Sequence, residues 1–328
     1  MGDIKVSVII PIYGVELFIE QCAESLLNQT LDNVEYIFVD DASPDNSINI
    51  LESVLERYPD KKHFCKIIRH EQNQGLPSAR NTGLLNATGD YIFHCDSDDY
   101  VESTMLEEMY NAAVNNAADI VWSDWLLTYA KAERYMRQPS YTEPLDAVRA
   151  MLRGEMKFNV WNKLVRRGLY ADNKISFPAG NGMGEDMTMI MLFVHAKKVL
   201  HLPKAYYHYV KLNSGAFSQT YSQKHLSELK FNVDRIEKYI KGHYGEMLNT
   251  EIALLKLDVK FPFLISDQTE KHKLWKDWYP EANRYISRKS APSFRSYLLQ
   301  SLARLNQFWA ISLYYKVVYR LIYNIIYR

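Results

Sequence analysis

The first hundred residues repeat one pattern: a short apolar run, a polar turn, then apolar positions at helical spacing. Lys5 to Ile12 reads as a buried strand and Val15 to Asn28 as a helix. Val34 to Val39 is a second strand, stopping at Asp40 and Asp41. Ser43 is the expected N-cap and Pro44 the first residue of a helix reaching about Tyr58. Phe64 to Arg69 is a third strand, Gly75 to Asn86 a loop running into a helix, and Tyr91 to Cys95 a fourth strand. Strands alternating with helices at this spacing predict an α/β fold, with a mostly parallel sheet covered by helices on both faces. Beyond it, Glu102 to Asn115 and Pro144 to Arg153 read as helices, Asp119 to Leu127 as a strand, and the chain after about Phe217 as mainly helical. Three segments are therefore expected: 1–100, 101–216 and a helical 217–328.

Sheets of this kind bind ligands at the carboxyl ends of their strands. Polar clusters fall at three such ends: Pro11-Ile12-Tyr13, Asp40-Asp41 and Asp96-Ser97-Asp98-Asp99. No Gly-x-Gly-x-x-Gly follows the first strand and no Walker loop exists, which disfavours a dinucleotide dehydrogenase or an NTPase. Crowded carboxylates at residues 96–99 repel one another unless a cation neutralises them, and a hard divalent ion suits oxygen ligands at this spacing. The plainer alternative is that Ser97-Asp98 caps the helix expected at Glu102. Arg80, set between Gly75 and Gly83, can place a planar fork on a base or a phosphate, or pair with Asp41 or Asp96.

Four of these strings together resemble family 2 glycosyltransferases. They are Pro-x-Tyr at Pro11 to Tyr13, Asp-Asp-x-Ser at Asp40 to Ser43, Gly-x-x-x-Ala-Arg-Asn-x-Gly at Gly75 to Gly83, and Asp-x-Asp at Asp96 to Asp98. The resemblance implies the GT-A fold and a nucleotide-sugar donor, uridine being the commonest base. It implies that Pro11, Tyr13, Asp41 and Arg80 hold the nucleotide, that Asp96 lies near the ribose or the metal, and that Asp98 ligates Mg²⁺ or Mn²⁺. Gly184-Glu185-Asp186 resembles the family's Glu-Asp pair, making Asp186 the base for an acceptor hydroxyl and Glu185 its catalytic neighbour. The plain alternative is that both acids merely open a helix through His195. Trp161-Asn162-Lys163-Leu164 resembles the segment before that pair, with Lys163 facing phosphates or acceptor. Tyr207-His208-Tyr209, followed by Asn213-Ser214, resembles the strand and loop closing over the diphosphate, with His208 as a contact or else an interior histidine. The Gln-x-x-Arg-Trp motif and membrane helices of processive members are absent from the sequence, so addition of a single sugar with inversion is expected, in cell-surface polysaccharide synthesis. A sugar nucleotidyltransferase is the alternative enzyme, although Pro11-Ile12-Tyr13-Gly14 lacks its basic phosphate loop. A catalytically degenerate scaffold is the alternative without chemistry.

Charge changes this picture at one end only. The 328 residues carry 39 basic and 39 acidic side chains, yet residues 284–328 hold eight basic groups and no acid. An acidic body thus carries a basic, aromatic tail, and no nucleic-acid partner is expected. Phe308 to Tyr327 is the most apolar stretch, and Ser312, Lys316, Arg320, Asn324 and Arg328 recur there and just beyond at every fourth position beside Trp, Tyr, Leu, Ile and Val. That pattern predicts a helix lying on an anionic membrane, or else one docked on the body or on a second subunit as a homodimer. A lipid-linked or other glycan acceptor follows from the membrane reading. Three cysteines at no metal-like spacing and no apolar leader predict reduced, buried thiols and a cytoplasmic protein on the inner face of the cell membrane.

Overall fold

A computed structural model describes residues 3–211 and 222–318. Nine strands form one sheet: β1 Val6–Ile12, β2 Val34–Asp40, β3 Cys65–Arg69, β4 Tyr91–His94, β5 Tyr100–Val101, β6 Ile120–Tyr129, β7 Ala132–Met136, β8 Lys163–Arg166 and β9 Val199–Val210. Their order is β3-β2-β1-β4-β8-β6-β9-β5, with β7 paired to β6. The first four strands pair in parallel, as the alternating pattern predicts. Antiparallel pairs enter in the second half, where β8 lies between β4 and β6.

All seven residues of β1 and of β2 are buried, which is why both read as mainly apolar runs, with the buried Glu35 of β2 held by Ser7 of β1 at 2.7 Å. Register sets Ile12 opposite Asp40 and Ile9 opposite His94, so the polar turns after β1, β2 and β4 emerge side by side. Helices α1 Ile19–Leu27, α2 Ser47–Glu56, α3 Pro59–Lys62, α4 Leu76–Asn86, α5 Met105–Asn116, α6 Pro144–Leu152, α7 Arg167–Asp172 and α8 Thr188–His195 connect the strands. The chain then continues as α9 Gln223–Tyr244, α10 Asn249–Lys260, α11 Thr269–Asp277, α12 Phe294–Arg304 and α13 Phe308–Tyr315.

The start of the helix after β2 differs from the expectation. The helix after β2 starts at Ser47, and Ser43 does not cap it. Ser43 instead donates its amide to Asp40 and its hydroxyl accepts from the Gly14 amide at 2.9 Å. Asp45 and Ser47 likewise take the amides of Glu16 and Val15. The Asp-Asp-x-Ser turn therefore pins the loop after β1, a use of its side chains that capping chemistry alone does not reveal.

The described residues fall into two compact units, 1–148 with 157–239 and 149–156 with 240–328. The division lies inside α9, after Tyr239. The second unit has its own core, with Leu248, Ile252, Trp275 and Leu299 buried. No described helix is long and apolar enough to cross a membrane. Cys22 and Cys95 are buried free thiols in sulfur hydrogen-bond contact at 4.0 Å, and Cys65 is half-buried. Asn213, Ser214, Arg320, Asn324 and Arg328 lie outside the described residues.

Candidate active site

Arg80 is brought to the strand ends by close packing of α4 on β1. A Cβ built on Gly83 would lie 2.3 Å from Ile9 Cγ2, so glycine alone allows the helix this approach. The preceding turn is held by Asp41, whose carboxylate accepts from the Gln74 and Gly75 amides, each at 2.8 Å, and faces His70 Nδ1 at 2.7 Å. Asp41, expected as a nucleotide contact, is buried with both oxygens engaged by the protein.

The buried Arg80 guanidinium joins two acidic turns. Its Nη2 donates to Asp96 at 2.8 Å and its Nε to Glu185 at 3.1 Å, while the Phe177 ring lies 5.7 Å away. Arg80 Nη1 and Glu185 Oε2 are buried without a partner. The acidic turn after β4 and the Glu-Asp turn before α8 thus meet at one cation, although 89 positions separate Asp96 from Glu185.

Within the 96–99 turn the acids divide by exposure. Asp96 and Asp98 are half-buried, whereas Ser97 and Asp99 are buried. Asp99 accepts from Tyr207 Oη at 2.8 Å and from the Val210 amide at 2.7 Å, and so ties the turn to the end of β9. Burial, then the neighbouring Asp98 and Asp96 charges, push its carboxyl well above the usual range. The capping alternative fails here: α5 starts at Met105, beyond the intervening β5, with Thr104 at its cap position. Asp96 and Asp98 bring half-buried carboxylate oxygens to this crowded acidic turn, hard donors of the type a divalent ion takes. No group of three or more His, Cys, Asp or Glu side chains that could hold a metal ion occurs among the described residues.

Glu185 and Asp186 open a single 3₁₀ turn, Glu185–Met187, that runs into α8. Their place at a helix start agrees with the capping alternative, but their environment goes further. Burial pushes Glu185 up to about 7, against the lowering charge of Arg80. Burial also pushes Asp186 up to about 6, opposed by Arg80 and Lys163. Asp186 is half-buried and stays partly accessible, as a base requires.

The other expected contacts are placed less directly. Pro11 is buried in β1, and Tyr13 just beyond is half exposed, with its ring open to a ligand. Lys163 is fully buried, its ammonium donating to Lys157 O, Asn159 O and Asn162 Oδ1 at 2.7–2.9 Å, so it fixes the loop ahead of β8. Burial pulls it down to about 7. His208 stacks on Tyr100, its ring nitrogens 2.9 Å from Glu133 and Glu102. On β9 it faces away from its neighbour Tyr207, which bonds the Asp96 amide. The structure does not bring His208 to the Arg80 cluster. Asn81, quoted above only as part of a motif, exchanges two hydrogen bonds with the Phe177 backbone and so fastens the loop that leads to Glu185 and Asp186.

Comparison with known proteins agrees with this geometry. The chain is 36% identical to the uncharacterized glycosyltransferase EpsJ of Bacillus subtilis over 217 residues, covering 62% of this chain and 60% of that one. It thus spans less than two thirds of that relative's length. It is 33% identical to the cholesterol galactosyltransferase of Borreliella burgdorferi over 279 residues, 80% of this chain and 74% of the relative. Among solved structures, S. aureus TarS 1–349 in complex with UDP-GlcNAc superposes with a TM-score of 0.73 at 20% identity, covering 97% of this chain and 92% of the TarS 1–349 chain. That likeness establishes the GT-A fold implied by the motifs. The sequence profile described as Glycosyl transferase family 2 matches residues 7–175. The expectation from the four strand-end motifs is met: this chain belongs to glycosyl transferase family 2.

Proposed function

We propose that the chain transfers one sugar from a nucleotide-sugar, a UDP-sugar in the first instance, to a hydroxyl of a glycan or lipid-linked acceptor with inversion. The observation that carries this reading is the Arg80 bridge, which sets the acidic turn at Asp96 beside the turn bearing Asp186. Tyr13 stacks on the base, Pro11 and Asp41 shape the nucleotide pocket, and Arg80 orients the donor through the groups it holds. Asp96 and Asp98 would hold Mg²⁺ or Mn²⁺. Bound there, such an ion offsets charge growing on the diphosphate leaving group. Asp186 takes the proton from the acceptor hydroxyl. The freed oxygen forms its bond to the anomeric carbon from the face opposite the breaking bond, which inverts that centre. Glu185 fixes Arg80, and Lys163 fixes the loop beside Asp186. The UDP-GlcNAc bound to TarS supports a uridine donor, and the name of the Borreliella relative supports a lipid acceptor.

The place of action follows from the second unit. Phe294, Trp309 and Leu313 are each more than half exposed, with Arg288, Arg295, Arg304 and Lys316 close to them in sequence. Bulky apolar side chains in water beside basic ones suit an anionic bilayer surface, the role proposed for the tail and for a peripheral enzyme on the inner face of the membrane.

Thermal stabilisation by a panel of nucleotide-sugars, with and without Mn²⁺, tests the donor assignment. UDP-sugars should raise Tm, and more so with metal. Stabilisation by none of them, together with no release of nucleoside diphosphate, would favour the degenerate scaffold.

A further inference from the structure

The loop that bears Glu185 and Asp186 has little regular structure between α7 and the 3₁₀ turn, so its backbone groups need partners from elsewhere. One face of α9 supplies them. Asn232 is fully buried and donates Nδ2 to both Asn181 O and Met183 O, each at 3.0 Å. Glu228 accepts from the Met183 amide at 3.0 Å. Arg235 donates to Ser176 O at 2.7 Å and to Thr188 Oγ1 at 3.0 Å. Gly184, at φ +83°, turns the chain where a Cβ would come within 3.1 Å of Leu229 Cδ1. Residues 228, 232 and 235 follow helical spacing, so one rigid surface grips the loop on both sides of Asp186.

Asparagine is a poor helix former, and burying its amide is costly unless it is bonded. At Asn232 only the N–H groups are satisfied, both by the loop, and its oxygen has no partner among the described residues. The arrangement therefore favours loop geometry over helix stability. We propose that Asn232, with Glu228 and Arg235, is a positioning residue for the base, so that transfer depends on a helix distant in sequence from both acidic turns. The proposal rests on Asp186 being the base.

The test uses the full chain with a UDP-sugar donor. Asn232→Leu and Asn232→Asp both remove the two donated bonds while keeping side-chain size. Each should lower kcat about tenfold to a hundredfold, the scale of a misplaced catalytic group, with the affinity for UDP within about twofold. Amide exchange over 176–188 should quicken while β1 and β2 stay protected. Val233→Ala, a core-facing change in the same helix, should lower Tm but keep kcat, and Phe231→Ser on its exposed side should leave turnover unchanged. Unchanged kcat or unchanged loop exchange in the Asn232 variants would overturn the proposal, as would an equal kcat loss in Val233→Ala. Absence of transfer by the unaltered protein would instead bring down the reading of Asp186 and of the site.

Discussion

Asp186 and Glu185 sit side by side, yet only Glu185 is bonded to Arg80. This split gives the pair a pH signature. Asp186 must be ionised to take a proton, and burial has raised it to about 6. Transfer should therefore rise with pH through about 6, and kcat at pH 5 should be about one-tenth of its plateau. A flat kcat profile from pH 5 to 8 would contradict the assignment. Stability runs the other way. Both carboxyls are raised above their unfolded values near 4, so their contribution is full below about pH 4 and is lost as pH rises through about 6 to 7. At this scale the sequence revealed which residues stand at strand ends, because a turn after an apolar run is local. It did not reveal which of them spend their hydrogen bonds on distant backbone. Asp41 is occupied by amides of the 74–75 turn and Lys163 by carbonyls of its own loop. Asn232 gave no signal, since an asparagine inside a helical stretch reads as ordinary surface, and its partners lie 49 to 51 positions away.

Among the elements, α4 is the one whose packing the site depends on most. Alanine favours a helix over glycine by ~1 kcal/mol. At Gly83 the added methyl meets Ile9 at 2.3 Å, and overpacking of that kind costs ~1–3 kcal/mol. Gly83→Ala should thus lower the urea midpoint with the slope unchanged, and lower turnover through displacement of Arg80. A raised midpoint would show that β1 and α4 are less tightly packed than described. The parallel half of the sheet was legible from periodicity, since β1 and β2 are buried along their whole length. The start of α2 was not. Ser43 followed by Pro44 matches a cap signal, but Ser43 is engaged by the Gly14 loop. The role of α9 was hidden for a related reason: its period marks a helix, while the loop it grips belongs to another part of the chain.

For the whole molecule, the formal charge of zero joins an acidic body to a basic end. Attraction to anionic lipid is worth ~1 kcal/mol per basic residue near the surface. The full chain should therefore bind vesicles containing phosphatidylserine and be released by salt, whereas a chain ending at Ser290 should not bind. Equal binding by both would remove the membrane role, and a concentration-dependent dimer would identify a second copy as the occupant of the apolar face. Whether the assembled molecule works as described is tested most directly by Asp186→Asn in the full chain, with UDP binding and sugar transfer measured on the same preparation. The account predicts unchanged UDP affinity and a transfer rate lower by about a hundredfold or more. Transfer close to that of the unaltered protein would contradict it.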